Sequence, residues 1–213
     1  MTLVLALLLA APTRTPAPAK DPARAIARRV HAFYARTADF SASFRQQYTY
    51  VALGRTEDSE GIVQVKKPGR VRWDYSKPDR RTLYLEGRTL WIWRPDDQEA
   101  QVKRDFGGDQ LSSAFTFLWG KGDLLKEFSA KAVPPQKDLP PGDTLQLDPL
   151  KPVAGVAKLL FVVGKDGRVL ASVVTNPQGD VNQIVFSDAK VNQGLADSIF
   201  HFEPPKDAYV QEF

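Results

Sequence analysis

The chain has 213 residues and an apolar fraction of 43%, so it is long enough to bury one substantial core and too apolar to be disordered. Its 29 basic and 25 acidic residues leave a net charge of only +4, and the basic residues are spread along the chain, which argues against nucleic-acid binding. Cysteine is absent, which excludes disulfides, thiol catalysis, thiolate metal sites and a lipid-modified cysteine anchor.

The amino terminus carries a leucine-rich run, residues 1–9, and then a Pro/Thr/Ala-rich stretch that extends to Ala19. An apolar run of this length is typical of a secretory signal peptide and is too short to span a bilayer. We therefore predict a signal peptide and short linker over residues 1–19, with cleavage after Ala11 or near Ala19, and a single domain over residues 20–213. A frayed apolar tail is the alternative interpretation. An exported chain without an anchor is expected to be a free periplasmic protein.

The next segment is predicted to be an amphipathic helix over residues 21–37, because Asp21 can cap it and Pro22 suits the first helical position. Short strands bounded by turn residues follow it. The predicted strands are residues 42–51, 58–66, 70–75, 81–86, 89–94, 101–105, 144–147, 158–163, 168–175, 183–189 and a last edge strand at 199–202. The link Gly164-Lys165-Asp166-Gly167 predicts a hairpin with a type I′ turn.

Two segments break the rhythm of strands. Residues 111–119 lie between glycine breakers and carry apolar side chains at helical spacing, and a second short helix is predicted over residues 123–128. About ten or eleven antiparallel strands are too many for a comfortable flat sheet. The pattern therefore predicts a strongly curved sheet or barrel-like shell with helices over its opening.

One face of this shell is predicted to be apolar and aromatic. After the Pro68-Gly69 turn the sequence alternates strictly, which is the signature of a half-buried antiparallel strand in a hairpin with the preceding run. The predicted residues of the concave face are Phe44, Tyr48, Val63, Val65, Val71, Trp73, Tyr75, Leu83 and Leu85. The helical segment adds Phe115, Phe117, Leu118 and Trp119. An ordinary hydrophobic core is the alternative for each residue. Residues 89–94 are apolar on both faces, so the pattern does not decide which of their side chains point inward.

Lys67 is a charged residue predicted on the apolar face, because it has the same parity along the strand as Val63 and Val65. Its side chain could simply extend into solvent at the end of the hairpin. Alternatively, its ammonium group could donate to backbone carbonyls left without partners at the end of the covering segment 111–119, as a reversible latch.

The motifs of enzymes and metal sites are missing. His31 and His201 are the only histidines and neither lies in a ligand motif, so both are interpreted as structural or exposed. There is no GxSxG elbow, P-loop or GxGxxG, and Gly120-Lys121-Gly122 is interpreted as a helix breaker. The sequence therefore predicts a binding protein without catalytic activity, metal or cofactor.

These residues resemble a known family, the periplasmic lipoprotein carrier proteins of the LolA type. The resemblance covers nearly the whole mature chain and depends on the order of several loose motifs. They are residues 39–46 (DFSASFRQ), 61–73 around Lys67-Pro68-Gly69, 79–93 with EGRTLW, 164–167 (GKDG) and 200–205 (FHFEPP).

The resemblance implies a mainly β (α+β) fold, a curved antiparallel half-barrel of about 10–11 strands with two or three helices as a lid over an apolar cavity. It implies a soluble, monomeric periplasmic carrier that takes acylated lipoproteins from an inner-membrane lipoprotein-releasing ABC transporter to an outer-membrane lipoprotein receptor. In that family an arginine ties the barrel to its lid. Lys67 stands at the matching position, and lysine lacks the rigid fork of arginine.

Other functions fit a similar shell. A periplasmic half-barrel sensor of lipoproteins or envelope stress is the main alternative, and a carrier of another lipid is a second. A secreted lipid hydrolase would need a nucleophile and base that the sequence does not offer, and a purely structural envelope protein would have a filled core. Identification of co-purifying lipid or acylated protein would separate these functions.

Overall fold

The computed structural model describes residues 21–106 and 124–213. Its helices are α1 (Pro22–Ala35) and α2 (Leu124–Glu127), with short 3-10 helices at Val51–Leu53 and Asp197–Phe200. Its strands are β1 (Asp39–Tyr50), β2 (Arg55–Lys66), β3 (Arg70–Lys77), β4 (Arg81–Glu86), β5 (Thr89–Arg94), β6 (Glu99–Lys103), β7 (Phe128–Val133), β8 (Asp143–Pro149), β9 (Lys158–Val163), β10 (Val169–Thr175), β11 (Val181–Val191) and β12 (Tyr209–Glu212).

All twelve strands form one sheet, in the order β12-β6-β5-β4-β3-β2-β1-β11-β10-β9-β8-β7. Every neighbouring pair is antiparallel except β12 and β6, which are parallel. The prediction of a mainly β fold built on an open, curved antiparallel sheet is confirmed, with one or two strands more than expected. Among the residues described, no helix is both long and apolar enough to cross a membrane.

Helix α1 forms where the sequence predicts it. The Asp21 carboxylate accepts hydrogen bonds from the backbone N–H of Ala23 at 3.0 Å and Arg24 at 3.3 Å, and Pro22 occupies the first turn. The apolar stripe that includes Ile26 and Val30 is buried in a cluster with residues of β8 and β9. Helix α1 therefore covers one end of the sheet on a single face.

The region after residue 123 differs from the prediction. The short helix ends at Glu127, and Phe128 begins the edge strand β7, which the sequence reading missed. The predicted edge strand at residues 199–202 is wrong, because a 3-10 helix ends there at Phe200 and the true edge strand is β12. Phe200 is fully buried and Phe202 stacks on the ring of Tyr84. The alternating pattern of residues 199–202 therefore reflects the packing of these side chains and not the pairing of a strand.

The hairpin between β9 and β10 is confirmed, but its turn is not type I′. A type I′ turn needs a positive φ at both of its central residues. In the loop between β9 and β10, the positive φ belongs to Gly167, at 96°, which follows the two central residues. The loop has three residues, because Gly164 N–H donates to Arg168 O at 2.8 Å. A Cβ atom on Gly167 would lie 2.3 Å from Arg29 O of α1, so the close approach of the helix also requires glycine.

Candidate functional site

The inner face of the sheet, defined as the face on which α1 packs, carries two buried clusters. The first contains α1 and the side chains of β7 to β10 beneath it. The second consists of Phe40, Ala42, Phe44, Val63, Val65, Trp73 and Ile184. Phe186 and Val191 pack against both clusters, so the two are continuous on one face.

The second cluster brings most of the predicted apolar residues together. Four of them are buried members, and Val71, Tyr75 and Leu83 pack against it partly buried. The strand register places Val63, Trp73 and Leu83 side by side, and likewise Val65, Val71 and Leu85. We call this face of β1 to β5 the inner wall. Tyr48 lies outside the cluster, farther along β1, where its ring contacts Tyr50 at 4.5 Å.

The centre of the inner wall is a group of three aromatic rings. Phe44 lies 4.9 Å from Trp73 and 5.1 Å from Tyr75 between ring centroids, the second pair edge to face. Gly61 faces Phe44 across β2, and a Cβ atom there would lie 1.8 Å from Asp74 O and 3.0 Å from the Phe44 ring. A glycine is therefore needed at this position for the backbone of β3 to approach β2 so closely beside the Phe44 ring.

The structure settles the orientation of β5, which the sequence left open. Trp91 and Trp93 contact the Phe202 ring at 5.6 and 5.7 Å on the opposite, outer face. Leu90 and Ile92 consequently face inward, where they pair with Leu85 and Leu83 of β4. The inner wall thus extends across β5.

Lys67 donates a hydrogen bond from Nζ to the backbone oxygen of Tyr34, in the last turn of α1. Its acceptor belongs to α1 and not to segment 111–119, for which the bond was predicted. The neighbouring carbonyl of Phe33 accepts from Thr37 Oγ1 at 2.9 Å, and the carbonyl of Tyr34 also accepts from the backbone N–H of Thr37 at 3.2 Å. Side chains therefore add donors to two carbonyls in the last turn of the helix. Desolvation lowers the pKa of Lys67. This lysine joins the β2–β3 turn to the covering helix.

A row of polar side chains crosses the inner wall beyond Phe44. The Tyr75 hydroxyl donates to Gln46 Oε1 at 2.8 Å, and Gln46 Nε2 donates to Asn182 Oδ1 at 2.9 Å. The Arg81 guanidinium lies over the Tyr75 ring at 4.1 Å. Burial raises the pKa of the Tyr75 hydroxyl. The sequence reading missed Gln46, although its parity with Phe44 on β1 would have placed it on this face.

Residues 192–203, which we call the strap, cross part of the outer face, where they contact the start of β1 and strands β2 to β5. The buried Asp39 carboxylate accepts from the backbone N–H of Gln193 at 2.7 Å and Gly194 at 2.8 Å. Farther along, Lys66 pairs with Asp197 at 2.6 Å. Asp39 and Lys66 therefore belong to the set of strand residues whose side chains point away from the inner wall.

The remaining predicted residues Phe115, Phe117, Leu118 and Trp119 lie outside the described residues, as does the predicted signal peptide. Within the described residues, no group of three His, Cys, Asp or Glu side chains is placed to hold a metal ion. Within that same part of the chain, the features that suit binding are therefore the apolar inner wall, its polar row and the Lys67 contact.

Known proteins with similar sequences share one name. A protein from Chromobacterium violaceum named "Outer-membrane lipoprotein carrier protein" is 31% identical over 177 residues, covering 82% of each chain. A second of that name, from Methylobacillus flagellatus, is 30% identical over 180 residues and covers 84% of this chain and 85% of its own. A LolA superfamily protein of known structure from Nitrosomonas europaea is 14% identical, with a TM-score of 0.45 over 84% of this chain and 97% of its own, and carries no argument about function.

The sequence profile described as "Outer membrane lipoprotein carrier protein LolA" matches residues 35–203, which is well over half of the chain. That range begins at the end of α1 and runs through the inner wall, the Lys67 turn and the strap to Glu203. The chain belongs to the LolA family of outer-membrane lipoprotein carrier proteins.

Proposed function

We propose that the protein is a non-enzymatic carrier that binds the acyl chains of lipoproteins against its inner wall and takes them to the outer membrane. The observation that carries this proposal is the apolar wall itself, in which Val71, Tyr75 and Leu83 are only partly buried beside the fully buried cluster. An apolar surface that its own core does not cover is suited to hold hydrocarbon. Family membership supports the same function.

The energetics favour a shielding carrier. Each methylene moved out of water is worth about 0.8 kcal/mol, so a lipoprotein with several acyl chains carries an apolar free energy of the order of tens of kcal/mol. Such cargo cannot cross an aqueous space unshielded. Because release is also required, a broad surface that fits loosely is more useful than a tight pocket.

The same proposal assigns roles to the rest of the chain. Segment 111–119 would cover the inner wall, and the bond of Lys67 to α1 would hold the covering helix in the empty state. Residues 1–19 would direct export, so that the mature domain, residues 20–213, acts in the periplasm of a Gram-negative cell. An inner-membrane ABC transporter would supply the cargo, and an outer-membrane receptor would accept it.

The direct test is mass spectrometry of the protein purified from its native periplasm, with both protein and organic extracts examined. We expect acylated protein in stoichiometric amount. Recovery of phospholipid alone would keep the binding surface and change the cargo. Purification without bound lipid or acylated protein would contradict the carrier function.

A pair of substitutions tests whether the inner wall is the binding surface. Leu83→Asp places a carboxylate on the partly buried inner face of β4 and should reduce recovery of acylated protein at least tenfold, because acyl chains would then have to desolvate a charge. Ile62→Asp is the matched control, since Ile62 lies on β2 facing outward and is 49% exposed. Equal recovery from the two variants would exclude the inner wall as the site.

A further inference from the structure

Three neutral polar side chains lie on the inner face beyond the aromatic group, on β1, β3 and the neighbouring strand β11, and Arg81 pairs with Tyr75 beside them. Gln46 lies two residues beyond the buried Phe44 on β1, and Asn182 of β11 pairs with Tyr48 in the next position. Tyr75 contacts the Phe44 ring with its own ring and reaches Gln46 with its hydroxyl. The polar row therefore lies at the boundary between the buried aromatic group and the half-buried end of β1.

The hydrogen bonds of this row all run in one direction. Tyr75 Oη donates to Gln46 Oε1 at 2.8 Å, and Gln46 Nε2 donates onward to Asn182 Oδ1 at 2.9 Å. The acceptor oxygens of both amides are therefore used within the row. A primary amide carries two N–H donors. Among the described residues, one donor of Gln46 and the amide nitrogen of Asn182 have no hydrogen-bond partner, so they can donate to a ligand. The row presents these neutral donors at the edge of an apolar surface, with the charged guanidinium of Arg81 beside it.

A ligand for such an edge must be apolar on one side and rich in neutral acceptors on the other. The carbonyl groups that attach acyl chains to glycerol or to an amine meet this description, because they follow directly on the hydrocarbon and accept hydrogen bonds without carrying charge. Free hydrocarbon has no such group. Arg81, whose guanidinium lies over the Tyr75 ring, adds a further donor group beside the row.

We propose that Tyr75, Gln46 and Asn182 bind the ester or amide carbonyls of an acylated ligand and so fix the depth to which its chains enter along the inner wall. This inference rests on the proposed carrier function. It predicts selectivity for chains that are joined through carbonyl linkages over bare alkyl chains of the same length.

The test uses Tyr75→Phe in the full mature protein, because this change removes the hydroxyl and keeps the ring against Phe44. Three fluorescent probes are titrated: a triacylated cysteinyl peptide, a diacyl phospholipid and an alkyl-chain dye without carbonyl groups. We expect affinity for the triacylated peptide to fall about three- to tenfold, the size of one hydrogen bond, with the alkyl dye unaffected. Gln46→Leu should have the same selective effect.

Tyr84→Phe is the matched control, since Tyr84 stacks on Phe202 on the outer face, and it should bind all three probes as the unmodified protein does. If affinity for the phospholipid falls in parallel, the row binds the glyceryl ester carbonyls. If only affinity for the peptide falls, the row binds the linkages that are peculiar to lipoproteins. Equal losses for the peptide and the alkyl dye, or no loss, would overturn the inference. Failure of the unmodified protein to bind the peptide would instead contradict the carrier function.

Discussion

At the scale of single residues, Lys67 adds a polar contact between the β2–β3 turn and α1, whose apolar side is already packed on the sheet. Its ammonium group donates to Tyr34 O at the end of α1. We expect Lys67→Met to lower the free energy of unfolding by about 0.5–1.5 kcal/mol, because the change removes one hydrogen bond to Tyr34 O, which keeps the backbone N–H of Thr37 at 3.2 Å. Urea denaturation followed by circular dichroism measures this loss.

Two further variants distinguish a specific bond from a general effect of charge. Lys67→Arg restores a donor and should recover most of the lost stability, although the larger head group fits the same carbonyl differently. Lys137→Met removes a lysine from an exposed loop and should leave stability unchanged within about 0.5 kcal/mol. If Lys67→Met and Lys137→Met were equally stable, the Lys67 bond would make no net contribution.

At the scale of elements, the strap depends on a titratable contact. His201 Nδ1 lies 3.0 Å from Glu86 of β4 and Nε2 lies 3.4 Å from Glu203, and these hydrogen bonds raise the pKa of His201 above its ordinary value. A raised pKa in the folded state means that the contact contributes fully below about pH 6.5 and is lost as the pH rises through the higher folded value. The strap should therefore be held more firmly in mildly acidic buffer.

Limited proteolysis of the strap as a function of pH tests this expectation. Cleavage within residues 192–203 should be slower at pH 6 than at pH 8, with the other contacts of the strap, such as Lys66 with Asp197, unchanged over that range. His201→Gln should remove the difference between the two conditions. A similar pH dependence in this variant would show that another group controls the strap.

At the scale of the whole molecule, the sheet is a single layer whose most buried strand, β9, lies in the cluster beneath α1. The long strand β1 pairs with β2 and β11 along most of its length, and Phe186 and Val191 of β11 join the two buried clusters. All four residues of the edge strand β12 are exposed. Hydrogen exchange should be slowest for the amides of β9, which pairs on both sides and is buried at five of its six residues, and fastest for β12. Uniform protection across the sheet would contradict this gradient.

Much of this architecture was readable from local patterns. Strict alternation in residues 70–75 identified a hairpin strand and separated Val71, Trp73 and Tyr75 from their charged neighbours, because side chains of a strand point alternately to two faces. The Asp21 cap and Pro22 located the start of α1 for an equally local reason. Family membership was also foreseen, from the order of motifs along the chain.

The features that were missed depend on contacts between distant parts of the chain. Trp91 and Trp93 face outward through the register of β5 with β4 and are met there by Phe202 of the strap, and Lys67 bonds to α1 because the fold brings together two segments 33 residues apart. Period and propensity report which residues share a face, so the sequence by itself determined the first helix, the apolar set and the strands other than β7 and β12. Which face the strap covers, which carbonyl receives Lys67 and where the polar row crosses the wall were decided by tertiary packing, because each requires a partner that no local pattern specifies.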